Sequence, residues 1–229
     1  MDLQARLRRA LAERGLLGGL LHVPRAAVRP LLLAVRTRLA EARAPRLVAA
    51  ASPARLHLGS GSERLAGWIN VDLRDPAELC LNLTRPLPLP DQSVDAIYSQ
   101  HFIEHITKAQ AGQLVRECAR VLKPGGWFRC STPDLAYYVR QWQERAAKGG
   151  DTAVDAADGL NDIIRLHEHL YVYDEAALCD LLARAGLIDI ERARPQESRC
   201  EHLHGLDSRQ AGAPPEVAAQ NLILEARRP

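Results

Sequence analysis

The chain has 229 residues, 47% hydrophobic and 25% charged, the balance of a globular domain with a sizeable core rather than of a disordered chain. No apolar run reaches the roughly 20 residues needed to cross a bilayer, and arginines interrupt the first apolar stretch, so neither a membrane span nor a signal peptide is expected. The net charge of +2 hides an asymmetry: residues 1–55 hold eleven arginines against Asp2, Glu13 and Glu41, a local +8 that leaves −6 for the remainder.

Leu3, Leu7, Ala10, Leu11 and Leu17 recur at nearly helical spacing, which predicts a first helix over 2–17, ended by Gly18-Gly19. A second helix is expected over 31–42, with Arg36, Arg38 and Arg43 on its polar side. Residues 44–54, rich in Ala and Pro, read as a linker. The chain thus divides into a basic helical appendage with its linker, 1–54, and a main domain, 55–229. From Arg55 on, strands and helices alternate, as in a parallel α/β sheet. Strands are expected at 56–58, 69–73, 79–83, 94–99 and 127–131, with a closing antiparallel pair at 188–193 and 221–226. Helices are expected at 108–122, 135–148 and 174–185. Lys123-Pro124-Gly125-Gly126 should stop the first of these, with glycine in the left-handed cap. Residues 149–158 read as a polar stretch and 195–215 as irregular.

Leu56-His57-Leu58-Gly59-Ser60-Gly61 leads from a short apolar strand into a glycine turn, and Trp68 to Asp72 forms a second strand ending on an acid. Glycines let a ligand approach the backbone, and a carboxylate at the next strand end accepts hydrogen bonds from ribose hydroxyls. This segment therefore proposes a nucleoside site. Asp72 follows Gly61 by only 11 residues. A nicotinamide fingerprint wants an acid about 20 residues on, so the spacing speaks against a dehydrogenase. The five cysteines, Cys80, Cys118, Cys130, Cys179 and Cys200, form no CxxC pair, which fits reduced thiols in the cytoplasm.

Four segments in order are LHLGSG (56–61), GWINVDL (67–73), LPLPDQSVDAIYSQHFIEHI (87–106) and LVRECARVLKPGGWFRCSTPD (114–134). They resemble successive motifs of the class I S-adenosylmethionine-dependent methyltransferases, and more narrowly of their type 11-like bacterial branch. HLYVYDEAALCDLLARAGL (169–187) and NLILEARRP (221–229) resemble the helix before the last hairpin and the terminal strand. The resemblance runs from about Arg55 to the C-terminus and leaves out residues 1–54. It implies an α/β fold: a Rossmann-like doubly wound sheet, mostly parallel with an antiparallel C-terminal strand pair, here with an N-terminal helical appendage.

The resemblance also implies S-adenosylmethionine as cofactor. Its binding set would be Gly59, Ser60, Gly61, Asp72, Leu73, Asn82, Leu83, Ser99 and Gln100. Gly59 and Gly61 would meet the methionyl moiety, Asp72 the ribose, and Asn82 and Leu83 the adenine. Ser99, Gln100 and His101 would line the methionyl group and the acceptor mouth. The pattern departs from the family at three points. His57 stands where relatives often carry an acid that helps bind the donor's ammonium. The third glycine is missing, since Glu63 follows Ser62. Asn82 stands where many relatives have Asp, and is expected to hydrogen-bond adenine's amino group.

Methyl transfer from a sulfonium is an in-line displacement, so the protein mainly aligns donor and acceptor. A histidine can take the proton of a hydroxyl acceptor near neutrality. The catalytic candidates are His105, His101 and His169. If the stretch after the fourth strand is α-helical, Gln100/Glu104 and His101/His105 share faces. His167-Glu168-His169 and the Glu201-His202, His204 group lack a third ligand at diagnostic spacing, and no metal is expected. Asp134, just past the fifth strand, reads either as a residue that aids the acceptor or as the cap of the next helix.

These readings point to methyl transfer onto a small-molecule or glycan-linked acceptor, most simply at oxygen; the glycan follows only from the family's usual company. The alternative is a catalytically silent binding or scaffold protein working through its basic N-terminal helices, motivated by His57. Those helices could also serve as a lid, a homodimer contact or a membrane-surface contact. They contain no aromatic residue for base stacking, and nucleic acid is not an expected partner.

Overall fold

The computed structural model describes residues 25–74, 76–165, 168–207 and 219–229. The helix expected at 2–17 lies outside them. The elements run α1 (Arg25–Ala50), β1 (Arg55–Leu58), β2 (Ile69–Asp72), β3 (Leu79–Cys80), β4 (Val94–Gln100) and a short 3-10 turn, Ile103–His105. There follow α2 (Lys108–Val121), β5 (Leu122–Pro133), α3 (Leu135–Ala146), α4 (Asp151–Arg165), α5 (Glu175–Arg184), β6 (Ile188–Arg192), a 3-10 turn at Glu201–Leu203, and β7 (Asn221–Arg227).

The seven strands form one sheet in the order β3-β2-β1-β4-β5-β7-β6. The first five of that order are parallel, and β7 runs antiparallel to both β5 and β6. This is the expected Rossmann-like architecture with its antiparallel C-terminal pair. The chain winds outward from β1 to β3, then returns beside β1 as β4. The two strands therefore flank the switch point where such sheets bind ligands.

Side chains alternate across the sheet. Leu56, Leu58, Ile97, Phe128 and Cys130 join the main core beneath α2 and α5, where Val115, Cys118, Leu178 and Leu182 are fully buried. Ala96, Tyr98 and Trp127 face the other way, into a smaller cluster closed by Trp68, Cys200, Leu203 and Leu206. One face is thus covered by helices and the other by irregular chain.

Four expectations change. The stretch read as a linker is helical through Ala50, and α1 runs unbroken across Pro30 and Pro45. Each proline removes a backbone donor, but Ala40, Ala44 and Val48 bury a continuous stripe against β3 that holds the helix on course. The opposite face of α1 leaves Leu31, Leu32, Val35 and Leu39 exposed. The polar stretch at 149–158 opens α4, whose buried positions, Ala156 and Ile163, are too sparse for the periodicity to show. Finally, α2 ends at Val121 without a glycine cap, because Leu122 is already extended and pairs with Val94.

Gly125 and Gly126 instead shape the start of β5. Gly125 has φ +78° and donates to the Arg228 carbonyl at 3.0 Å. A Cβ on Gly126 would lie 2.9 Å from the Lys123 carbonyl oxygen. Among the described residues no helix is long and apolar enough to cross a membrane.

Candidate active site

A cavity of about 580 Å³ lies at the carboxyl ends of β1 to β4, a size suited to a small-molecule ligand. One end is set by backbone geometry. Gly59 has φ +68°, and its N–H donates to the Val71 carbonyl at 2.9 Å, tying the turn to β2. A Cβ there would sit 2.4 Å from Phe102 Cγ, so only glycine fits between the turn and the chain leaving β4. Gly61 donates to Asp72 Oδ2 at 2.9 Å, and Arg74 N–H donates to Asp72 Oδ1 at 2.8 Å. Each carboxylate oxygen holds one backbone donor and keeps a lone pair for a ribose hydroxyl.

Leu73, Asn82 and Leu83 also line the cavity, together with Arg74, Leu81 and Thr84. Asn82 Oδ1 accepts from Thr84 N–H at 3.0 Å and from Thr84 Oγ1 at 2.8 Å. The backbone N–H can only donate, which fixes that atom as the oxygen, and its two lone pairs are taken. What Asn82 has left to offer is its NH2. That suits a ring nitrogen of adenine rather than the amino group the sequence suggested.

Ser60, Ser99 and Gln100 are not among the cavity walls. All three are buried. Strand alternation puts Gln100 on the same face as Tyr98, with Nε2 3.5 Å from Asp207 Oδ1. His57 also faces that way: its Nδ1 lies 2.9 Å from Asn70 Oδ1 and its ring stacks on Tyr98 at 5.2 Å. His57 is therefore part of the sheet's second face and does not line the cavity.

The other end of the cavity is built from side chains. His101 leaves β4 with φ +50°, a strained value for a non-glycine residue, while its N–H donates to the Ser131 carbonyl. Instead of an α-helix, residues 103–105 make one 3-10 turn, so the working pair is i,i+3. His101 Nδ1 lies 3.1 Å from Glu104 Oε1, and Thr132 Oγ1 donates to Glu104 Oε2 at 3.1 Å. Glu104 is completely buried, whereas the His101 side chain is 38% exposed. His101, Phe102, His105, Ile106 and Glu168 border the cavity. His169 packs edge-on against His105, with ring centroids 4.8 Å apart. His167 lies outside the described residues. Asp134 caps α3 through Ala136 N–H and also meets Arg192 at 3.0 Å.

Sequence reading missed the cluster on the second face. Arg129 is fully buried in β5, 2.6 Å from Asp207 and 2.5 Å from Glu225. It also donates to the carbonyls of Arg194 and Glu197. Tyr98 donates its hydroxyl to Asp207 at 2.8 Å. Burial, reinforced by Asp207, raises the Tyr98 pKa far above its ordinary value. An arginine between Phe128 and Cys130 was the available signal, since a strand interior holds a guanidinium only when acids meet it.

Residues 56–130 match the Methyltransf_11 family, described as a methyltransferase domain. A protein of Mycolicibacterium smegmatis, named a probable S-adenosylmethionine-dependent methyltransferase, is 32% identical over 145 residues, 61% of this chain and 46% of its own length. A similarly named protein of Mycobacterium tuberculosis is 31% identical over 132 residues, 56% of this chain and 38% of its own. The chain spans less than half the length of the curated relatives it matches. Among solved structures, a SAM dependent methyltransferase from Archaeoglobus fulgidus aligns with 84% of this chain and 94% of its own, at 17% identity and a TM-score of 0.46. The sheet order and the cavity at the switch point have a Rossmann-like arrangement. Residues 56–130, about a third of the chain, are thus similar to a methyltransferase domain, and the names of the curated relatives point to S-adenosylmethionine as the donor those proteins use.

Proposed function

We propose that this chain moves a methyl group from S-adenosylmethionine to a hydroxyl of a small-molecule or glycan-linked acceptor. The carrying observation is one cavity with two unlike ends. Gly59, Gly61, Asp72 and Asn82 form a nucleoside-shaped end, and His101, His105 and Glu168 form a polar one. The sulfonium supplies the electrophile, so the donor end needs only to hold it in line. At the other end, His101 is backed by the buried Glu104, which suits it to receive the hydroxyl proton as the oxygen attacks. His105 and His169 stand beside it. A cytoplasmic setting belongs to the same reading, supported by five free thiols.

The test is calorimetric titration with S-adenosylhomocysteine, followed by a methyl-acceptor screen of hydroxylated small molecules and glycolipid precursors. Saturable binding, weakened by Asp72→Ala, and label transfer to a hydroxyl are the expected results. No binding at about 1 mM ligand, with Asp72→Ala indistinguishable from the parent, would remove the reading. Donor binding without transfer to any acceptor would favour the silent scaffold.

A further inference from the structure

Behind the polar end of the cavity, two segments distant in sequence place a carboxylate and two imidazoles together. Glu104 and His105 come from the 3-10 turn after β4, and His169 from the chain between α4 and α5. One ligand atom of each lies within 4.8 Å of the others. The arrangement is held by backbone: Leu170 and Tyr171 N–H both donate to the Glu104 carbonyl, at 2.7 and 3.2 Å. Glu104 is wholly buried, and its side-chain partners among the described residues are His101 and Thr132. A carboxylate removed from water needs a compensating cation; the basic group among those partners is the His101 imidazole, and none is a lysine or arginine.

We propose that Glu104, His105 and His169 bind a divalent transition-metal ion. Two imidazole nitrogens and one carboxylate oxygen suit zinc, iron or nickel better than calcium or magnesium, which favour all-oxygen sites. Three protein ligands leave coordination positions open. His105 borders the cavity, so those positions face the acceptor end. Metal–ligand bonds of about 2.1 Å require the three donor atoms to draw together from their present spacing. His101 and Thr132 hold the two Glu104 oxygens in orientation, the outer support that ligating carboxylates commonly have. His167-Glu168-His169 hid this set in the sequence, because its partners come from the turn after β4.

The metal-binding claim stands apart from methyl transfer. A further role, polarising the acceptor hydroxyl as a Lewis acid, rests on the function proposed above. The experiment uses the full chain, stripped with a chelator and titrated with ZnCl2 by calorimetry and with CoCl2 by visible absorption. One equivalent should bind, with the cobalt complex showing ligand-field bands. His105→Ala, whose side chain is exposed, and His169→Gln should each weaken binding at least about tenfold while keeping a cooperative melt. Asp72→Ala should lose S-adenosylhomocysteine affinity and keep the metal. No saturable binding up to about 1 mM metal, or equal binding by both histidine variants, overturns the proposal. A protein that binds S-adenosylhomocysteine but no metal would sink this site and leave the donor site standing.

Discussion

Gly59, Gly61 and Asp72 lie close together in sequence and make one end of the cavity almost entirely through backbone geometry: positive φ angles, a turn tied to Val71, and two N–H groups on one carboxylate. His101, His105 and Glu168 border the other end through side chains, with Glu104 and His169 behind them, and the two segments are joined where Leu170 and Tyr171 N–H donate to the Glu104 carbonyl. The first end has little freedom to vary, since a Cβ at Gly59 would collide with Phe102. The second end is a set of exchangeable functional groups on irregular chain. A donor common to many reactions would meet the rigid end, and the particular acceptor the adjustable one.

The contrast can be broken by separating affinity from turnover. Asp72→Ala removes hydrogen bonds between a charged acceptor and ribose, each worth about 1.5–3 kcal/mol, so S-adenosylhomocysteine affinity should fall about 100-fold by calorimetry. His101→Ala should lower turnover on a hydroxyl acceptor by a comparable factor, about 100-fold, while donor affinity changes less than about twofold. A large loss of donor affinity there would show that the two ends are not separable. Gly59→Ala combines a forbidden contact with a strained φ, and should cost about 2 kcal/mol in a denaturant melt as well as about tenfold in donor affinity.

Asn82→Asp sharpens the comparison with a smaller effect. The carboxylate can keep both Thr84 bonds but gives up the NH2, so donor affinity should fall about threefold to tenfold. An increase instead would mean that adenine's amino group is the contact. Glu117 serves as a control far from both ends. The hydrogen bond from Arg120 is the main reason its carboxyl is held below the ordinary value of 4.5. Its stabilisation is present above that value and lost as the pH falls through the depressed folded one. Glu117→Gln should therefore melt about 1 kcal/mol less stably at pH 7, with the gap closing as the solution is acidified below about pH 4.

The sheet was legible because its strands are short apolar runs bounded by turn residues, buried almost continuously, and α2 and α5 because buried positions recur every third or fourth residue; α3 buries nothing fully and is marked by its Asp134 cap. Gly59, Gly61, Asp72, Asn82 and Leu83 could be placed because a strand end and a turn define their positions. Gln100 could not. It lies one residue from His101, yet strand alternation sends it to the opposite side, and no local pattern shows where β4 stops alternating. Glu104 and His169 were equally hidden as a pair, since nothing near either residue encodes the other. The helical run of α1 through two prolines was illegible for a related reason: its support comes from β3, a distant strand.

Arg129 also limits recombination. A chimera made to acquire a new acceptor would naturally import the stretch between β6 and β7 from a relative. Residues 194–207 are keyed to the strands beneath them through Arg129, Tyr98 and Glu225. A donor sequence lacking Asp207 would leave a guanidinium sealed under the graft with half its counter-charge, a defect of about 3–5 kcal/mol. Crossover points chosen at the visible loop boundaries would therefore fail. The transferable module is discontinuous: the loop together with three strand positions that lie up to 109 residues away in sequence.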